Sequence, residues 1–344
     1  MPSNPRWVRR PEGSTWGDFG PDDQLGRLNL LTPQKVREGI AEVREGRTFC
    51  LSLPLDRPGG KALNPRRGPP VLSPTGPADK PRWNQCLCHD EAGLLDVVCD
   101  DKVEIALQYS TQWDALVHVG ALFDADGDGM PEPVYYNGFR AGTDVLGVRE
   151  TAAAGRAFGA LKLGIEHAAA HGVQGRGVLV DLFARFGETR RFVTYDDLMS
   201  VMDADGVSVE PGDILCLHTG FAGVVMRMDG APDPAVLANA CAVLDGRDER
   251  LLQWISDSQI AALATDNYAV EGLPARPFGR GAKAAMPLHH HCLFKLGLPL
   301  GELWWLGDLA AYLRASGRSR FLLTAPPLRL PGAAGSPVTP IATL

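Results

Sequence analysis

The chain has 344 residues, 45% of them hydrophobic, and 41 Asp plus Glu against 34 Lys plus Arg give a formal net charge of -7. That length can bury one large core or two modest ones, and the scattered basic residues form no continuous stripe, which argues against nucleic acid as a partner. No stretch reaches the roughly 18 to 20 apolar residues that span a bilayer, and MPSNPRWVRRPEGSTW has no signal-peptide core, so no membrane partner and a cytoplasmic location are expected.

Seven cysteines lie mostly far apart, at Cys50, Cys86, Cys88, Cys99, Cys216, Cys241 and Cys292, which predicts reduced, largely buried thiols. In chain order, the first ten residues read as a mobile lead-in within an N-terminal arm of about 15. TPQKVREGIAEVREG then reads as a helix capped by Thr32 with Pro33 at its first position. TFCLSLPL follows as a strand, and DKVEIAL alternates as a strand should. Gly and Pro concentrate in 54–82, 127–142 and 272–287, predicting long loops that wall a site, with 64–82 mobile.

TAAAGRAFGALKLGIEHAAAHG predicts one or two helices, and VQGRGVLVDLF a glycine turn and a buried strand. TYDDLMSVMDADGV reads as a helix capped by Thr194, and GDILCLHTGF as another buried strand. In ISDSQIAALATDNYAVE a helix is expected to start at Ser256 or Asp257, ahead of a short strand. Helices alternating with apolar strands argue for α/β with a mixed sheet.

Two segments carry candidate chemistry. In QYSTQWDALVH, Gln112 and Asp114 share one side if the segment is extended, and Asp114 and His118 share a face if a helix follows. A carboxylate, an imidazole and an amide oxygen make a partial shell for Zn, Mn or Fe. Taken alone, an Asp and a His bonding backbone at a strand end is the simpler reading. In HHHCLFKLGLPLGE, His289, His290 and His291 cannot all share one face, so at most two serve a site, with Glu302 downstream.

Several blocks in order resemble the bacterial cyclase family, which includes kynurenine formamidase and isatin hydrolase: WGDFGPDDQLGRLNLLTP, GRGVLVDL, VEPGDILCLHTGF, ALATDNYAVE and LTAPPLRLPGAAGSPVTPIA. The resemblance implies one catalytic domain over 1–344. It also implies an α/β fold with a mixed sheet curled into a barrel-like layer flanked by helices, and a homodimer or homotetramer. Laid on the family motif HxGTHxDxPxH, the aspartate falls on Asp114, the last histidine on His118 and the threonine on Thr111. Gln108 and Gln112 stand where the first two histidines belong, Ser110 replaces the glycine and Leu116 the proline. The later histidine and glutamate, twelve residues apart, fall on His290 and Glu302.

With two motif imidazoles replaced, the resemblance implies one divalent ion, Mn or Zn, held by Asp114, His290, Glu302 and Gln112, with His118 as base rather than ligand. Gln112 alternatively holds the substrate carbonyl through its amide NH2. Gln108, Trp113, Tyr136, Asn137, His289 and Trp304 are expected to contact a small-molecule substrate. The implied activity is hydrolytic opening of a lactone, cyclic amide or aryl formamide. A ring-closing or dehydrating enzyme and a non-catalytic binding protein are the rivals. Asp266, Asn267 and Glu271 are candidate supports for the site, Trp304 and Trp305 an aromatic pair, and His218 a buried structural histidine. Asp124, Asp126, Asp128 and Gly129 resemble the start of a calcium loop, but Tyr135 stands where a bidentate Glu is needed.

Overall fold

The computed structural model describes residues 6–149, 158–277, 279, 281 and 283–344. Its centre is a nine-stranded mixed sheet built from β1 (Thr48–Cys50), β2 (Gln112–Asp114), β3 (Gln174–Asp181), β4 (Ile214–His218), β5 (Ala262–Thr265), β6 (Leu300–Glu302), β7 (Arg320–Thr324), β8 (Gly335–Pro337) and β9 (Ile341–Thr343). The spatial order is β1-β9-β7-β3-β4-β5-β6-β2-β8. Strands β3, β4, β5 and β6 run parallel, and the other pairings within this sheet are antiparallel. The sheet curls into a half-barrel flanked by helices, the expected fold class.

Parallel strands are covered on both faces, so they read as apolar runs. Every residue of β4 and β5 is buried. Helix α1 (Pro33–Ala41) starts where its sequence predicts, with the Thr32 side chain accepting from the Lys35 N–H. It packs tightly on β3 because Gly39 has no side chain: a Cβ there would meet the Gly175 carbonyl carbon at 2.9 Å. Helix α2 (Leu182–Phe186) follows β3 directly, Thr194 caps α3 (Tyr195–Ala204) in a reciprocal capping box with Asp197, and α4 (Phe221–Arg227) follows β4.

Other expectations fail for local reasons. The helix expected to begin at Ser256 or Asp257 ends there instead. Asp248 caps α5 (Glu249–Asp257) upstream by accepting from the N–H groups of Arg250 and Leu251. Of the helical stretch expected over 151–172, only Ile165–His171 is helical among the described residues, and 150–157 lie outside them. Gly164 sets its start in extended backbone. Cys86 and Cys88 are joined by a disulfide, against the expectation of seven thiols; Cys216, Cys241 and Cys292 are free and buried.

Of the first ten residues, expected to be mobile, 1–5 lie outside the described residues, and the segment from 6 to 16 is bonded to the body of the fold. Val8 and Arg9 donate backbone hydrogen bonds to the Ala125 carbonyl, and the fully buried Trp16 indole donates to the Phe294 carbonyl. Among the described residues no helix is long and apolar enough to cross a membrane.

Under the sheet, Arg176 on β3 and Lys35 on α1 converge on Asp213, which is fully buried just before β4. The Arg176 fork is bidentate, at 2.8 and 3.1 Å, and Lys35 Nζ lies at 3.2 Å. Removing one partner of such a group leaves charge uncompensated in the interior. Arg176→Met is therefore expected to lower stability by about 3 kcal/mol in urea denaturation; an unchanged midpoint would show that the network contributes nothing.

Candidate metal centre

The register of β6 against β2 builds the site. Leu300 lies opposite Asp114, Gly301 opposite Trp113 and Glu302 opposite Gln112. Side chains alternate along a strand, so Gln112, Asp114 and Glu302 share one face and Trp113 takes the other. All three are buried, Asp114 completely.

The histidine comes from the turn that starts at Pro287. The Glu271 carboxylate accepts hydrogen bonds from the N–H groups of Leu288 and His289 at the open start of that turn. The same carboxylate bonds His289 Nδ1 at 2.8 Å. Gly246 leaves it room, since a Cβ there would stand 2.4 Å from Glu271 Oε2. Fixed this way, His289 Nε2 points into the cluster, 3.3 Å from Glu302 Oε1 and 3.9 Å from Asp114 Oδ2. A histidine held by a carboxylate through one nitrogen while offering the other is the usual pattern of a metal ligand.

The resemblance put the histidine ligand at His290, and the structure brings His289 to the cluster instead. Neighbouring residues in a helical turn point about 100° apart, so only one of three consecutive histidines can face the acids. His290 packs on the Phe294 ring at 4.9 Å, and His291 bonds the Ser256 hydroxyl at 2.9 Å.

Asp114, His289 and Glu302 each offer an atom within 4.8 Å of the others' atoms. Three buried oxygens here have no hydrogen-bond donor: Asp114 Oδ2, Glu302 Oε1 and Gln112 Oε1. Buried oxygens of this kind are costly unless something positive meets them. The Gln112 NH2 is already used, on Glu302 Oε2 at 3.0 Å and Asp114 Oδ1 at 3.4 Å. Gln112 therefore turns its oxygen, not its NH2, towards the open point, which disfavours the reading in which that NH2 holds a substrate carbonyl. Two carboxylates, one imidazole and one amide oxygen fit a divalent ion in donor chemistry and in charge.

Electrostatics of the chain alone point the same way. Burial, with Asp114 beside it, pushes the Glu302 carboxyl up to about 7. Burial opposes charge on His289, yet the hydrogen bond to Glu271 and the nearby Glu302 carboxylate outweigh it and raise the imidazole to about 10. With no metal bound, the Glu302 carboxyl is thereby disposed to hold a proton.

His118 stands at the mouth of the cluster, its Nε2 3.8 Å from Asp114 Oδ1 and its side chain 20% exposed. No helix follows Asp114; a turn closed by the His118 N–H on the Ala115 carbonyl brings the ring back. Asp114 favours the imidazolium, but burial together with His289 and Arg67 outweighs it and holds His118 below its ordinary value.

Above lies a cavity of about 310 Å³, walled by Gln108, Gln112, His118, His289 and Glu302 and by the loops 58–67 and 268–273. Two of the three Gly/Pro-rich stretches thus form walls, and 127–142 does not. Tyr136 and Asn137 are buried under the N-terminal segment, where the Tyr136 hydroxyl bonds Asp23 and Asn137 Nδ2 donates to the carbonyls of Gly20, Pro21 and Asp23. Trp113 and Trp304 pack edge to face at 4.9 Å beneath the sheet. These four residues support the site without lining its cavity.

Of the second group, Glu271 holds His289, Asp266 bonds Thr219 and Gly220, and Asn267 bonds the Ala242 carbonyl. Asp124 and Asp126 are taken up by Arg9 and Arg140. Sequence reasoning missed Arg67, Tyr109 and Tyr268, which reach the cavity on loops without periodicity. The basic run KALNPRR was the available signal for the first of them.

Residues 50–272 match the Cyclase family model. The chain is a member of the cyclase family. A cyclase of known crystal structure is 30% identical to it, with a TM-score of 0.74, covering 96% of this chain and 97% of its own. Isatin hydrolase A from Ralstonia solanacearum shares 15% identity with a TM-score of 0.54, covering 90% of this chain and 97% of its own. The enzyme of that name from Labrenzia aggregata shares 13% with a TM-score of 0.52, over 90% and 97%. At these identities the two likenesses show the fold alone. No curated protein matches the chain.

For this protein, elemental analysis should find a divalent ion that Asp114→Asn, His289→Ala and Glu302→Gln each lose. Glu271→Gln should weaken affinity about 10- to 100-fold in chelator competition. His290→Ala should keep the ion; loss equal to that of His289→Ala would return the ligand to His290.

Proposed function

We propose that this protein is a metal-dependent hydrolase that opens a cyclic or activated carbonyl compound, a lactone, cyclic amide or aryl formamide, with one Mn or Zn ion. The observation that carries the reading is the convergence of three donorless buried oxygens and His289 Nε2 beside a partly exposed His118. A divalent ion, when bound, supplies Lewis acidity and makes water a stronger acid.

The residues do the rest. Asp114, Glu302, Gln112 and His289 would hold the ion. His118, kept neutral at ordinary pH, takes a proton from the attacking water and returns one to the leaving oxygen or nitrogen as the carbonyl bond to it breaks. Tyr109 and Tyr268 supply aromatic wall.

Among the described residues, Lys61, Arg66 and Arg67 stand on the rim with no ion pair, and Glu302 is the only acid lining the cavity. Such a rim favours substrates that carry or develop negative charge. The Arg67 guanidinium is anchored on the Gln108 carbonyl at 2.8 Å.

Assaying lactones, cyclic imides and formamides with Mn or Zn added tests the reading; activity indifferent to chelation would sink it. His118→Ala should keep its metal while kcat falls at least about 100-fold. Loss of metal in that variant would make His118 a ligand.

A further inference from the structure

A second polar cluster lies at the carboxyl ends of the parallel strands, the edge at which open α/β sheets place ligands. Asp181 ends β3 and His218 ends β4, directly opposite each other in register. His218 Nδ1 meets Asp181 Oδ1 at 2.8 Å. Arg314 grips Asp181 Oδ2 through Nη2 at 2.6 Å and Nε at 3.2 Å. Asp266, just past β5, spends its oxygens on the Thr219 N–H and hydroxyl and on the Gly220 N–H. Both carboxylates are thereby satisfied.

His218 Nε2 is not. The residue is 7% exposed, and among the described residues this nitrogen makes no hydrogen bond, the Asp266 Oδ2 carboxylate oxygen lying 4.0 Å away. It faces a cavity of about 420 Å³ whose walls include Phe183, Trp305 and Ala311. That volume suits a molecule of one or two rings. The cavity also meets the start of α6 (Gly307–Ser316), which has no side-chain cap. A Cβ on Gly307 would sit 3.8 Å from His218 Nε2 and meet nothing else within 4 Å. An uncapped helix start offers N–H groups and a positive dipole end to an anion. Burial disfavours charge on His218, but Asp181 and Asp266 outweigh it and raise its pKa, so Nε2 can act as a donor.

We propose that this pocket is a binding site for a small aryl carboxylate. The ring lies between Phe183 and Trp305, and the carboxylate meets His218 Nε2 and the first N–H groups of α6. The site is separate from the metal centre, shares no lining residue with that cavity, and stands whether or not the hydrolase reading does.

Calorimetric titration with 2-naphthoate tests it, using 2-naphthalenemethanol as the uncharged counterpart. Wild type and Asp114→Asn should bind 2-naphthoate alike, one molecule per chain, and the alcohol should bind at least about 10-fold more weakly. His218→Asn should weaken binding at least about 10-fold. Ala311→Trp, which fills the pocket from an exposed helix position, should do the same and remains informative if His218→Asn fails to fold. The proposal is overturned if wild type does not bind. It also fails if Asp114→Asn loses binding that Ala311→Trp keeps, or if acid and alcohol bind equally.

Discussion

Two buried carboxylates held side by side are the constraint around which this molecule is organised. Antiparallel pairing of β6 with β2 puts Glu302 next to Gln112 and Asp114 on one face. Taking an ionised carboxylate out of water costs several kcal/mol even after relaxation. Two of them together repel as well. The chain offsets only part of this, with the Gln112 amide spanning both acids and with His289. The oxygens left over are what makes the site a receptor for a cation.

The scaffold around those acids is correspondingly stiff. The Trp304 indole donates to the Gln112 carbonyl, so the strand that carries the ligands is clamped from below. Thr111 donates to the Leu303 carbonyl and accepts from the Leu53 N–H, tying β2 to the chain beyond β6 and to the segment after β1. Glu271 joins the start of the histidine turn to the histidine ring in one carboxylate. The turn then runs on as a π-helix over His290–Leu296, a form that recurs beside functional sites.

How much of this could be read from the sequence follows from what each feature depends on. Capped helices such as α1 and α3 and the apolar strands β3, β4 and β5 carry local signals, and they were legible. So was the shared face of Gln112 and Asp114, which needs only the two-residue period of a strand. The choice among three adjacent histidines was not legible, because it is set by Glu271, eighteen residues before His289. Tyr136, Asn137, Trp113 and Trp304 belong to blocks near the site but face away from its cavity; a motif gives nearness, while orientation comes from packing. The loop carrying Arg67 has no periodicity, so only tertiary structure says that it closes over the acids.

Arg67 also bears on what the glutamines do. Here Gln112 is committed to the two acids and Gln108 lends its backbone carbonyl to the Arg67 guanidinium. The positive charge of Arg67 reaches both His118 and Glu302, where it favours the unprotonated form. A charge fixed to the chain can favour an anion in the cavity and restrain a base, but it cannot polarise a carbonyl as a coordinated metal does. Arg67 therefore supplies fixed positive charge over the acids and leaves carbonyl polarisation to a bound ion. That division suits the ion proposed at Asp114, His289, Glu302 and Gln112, with substrate charge met at the rim rather than at the ligands.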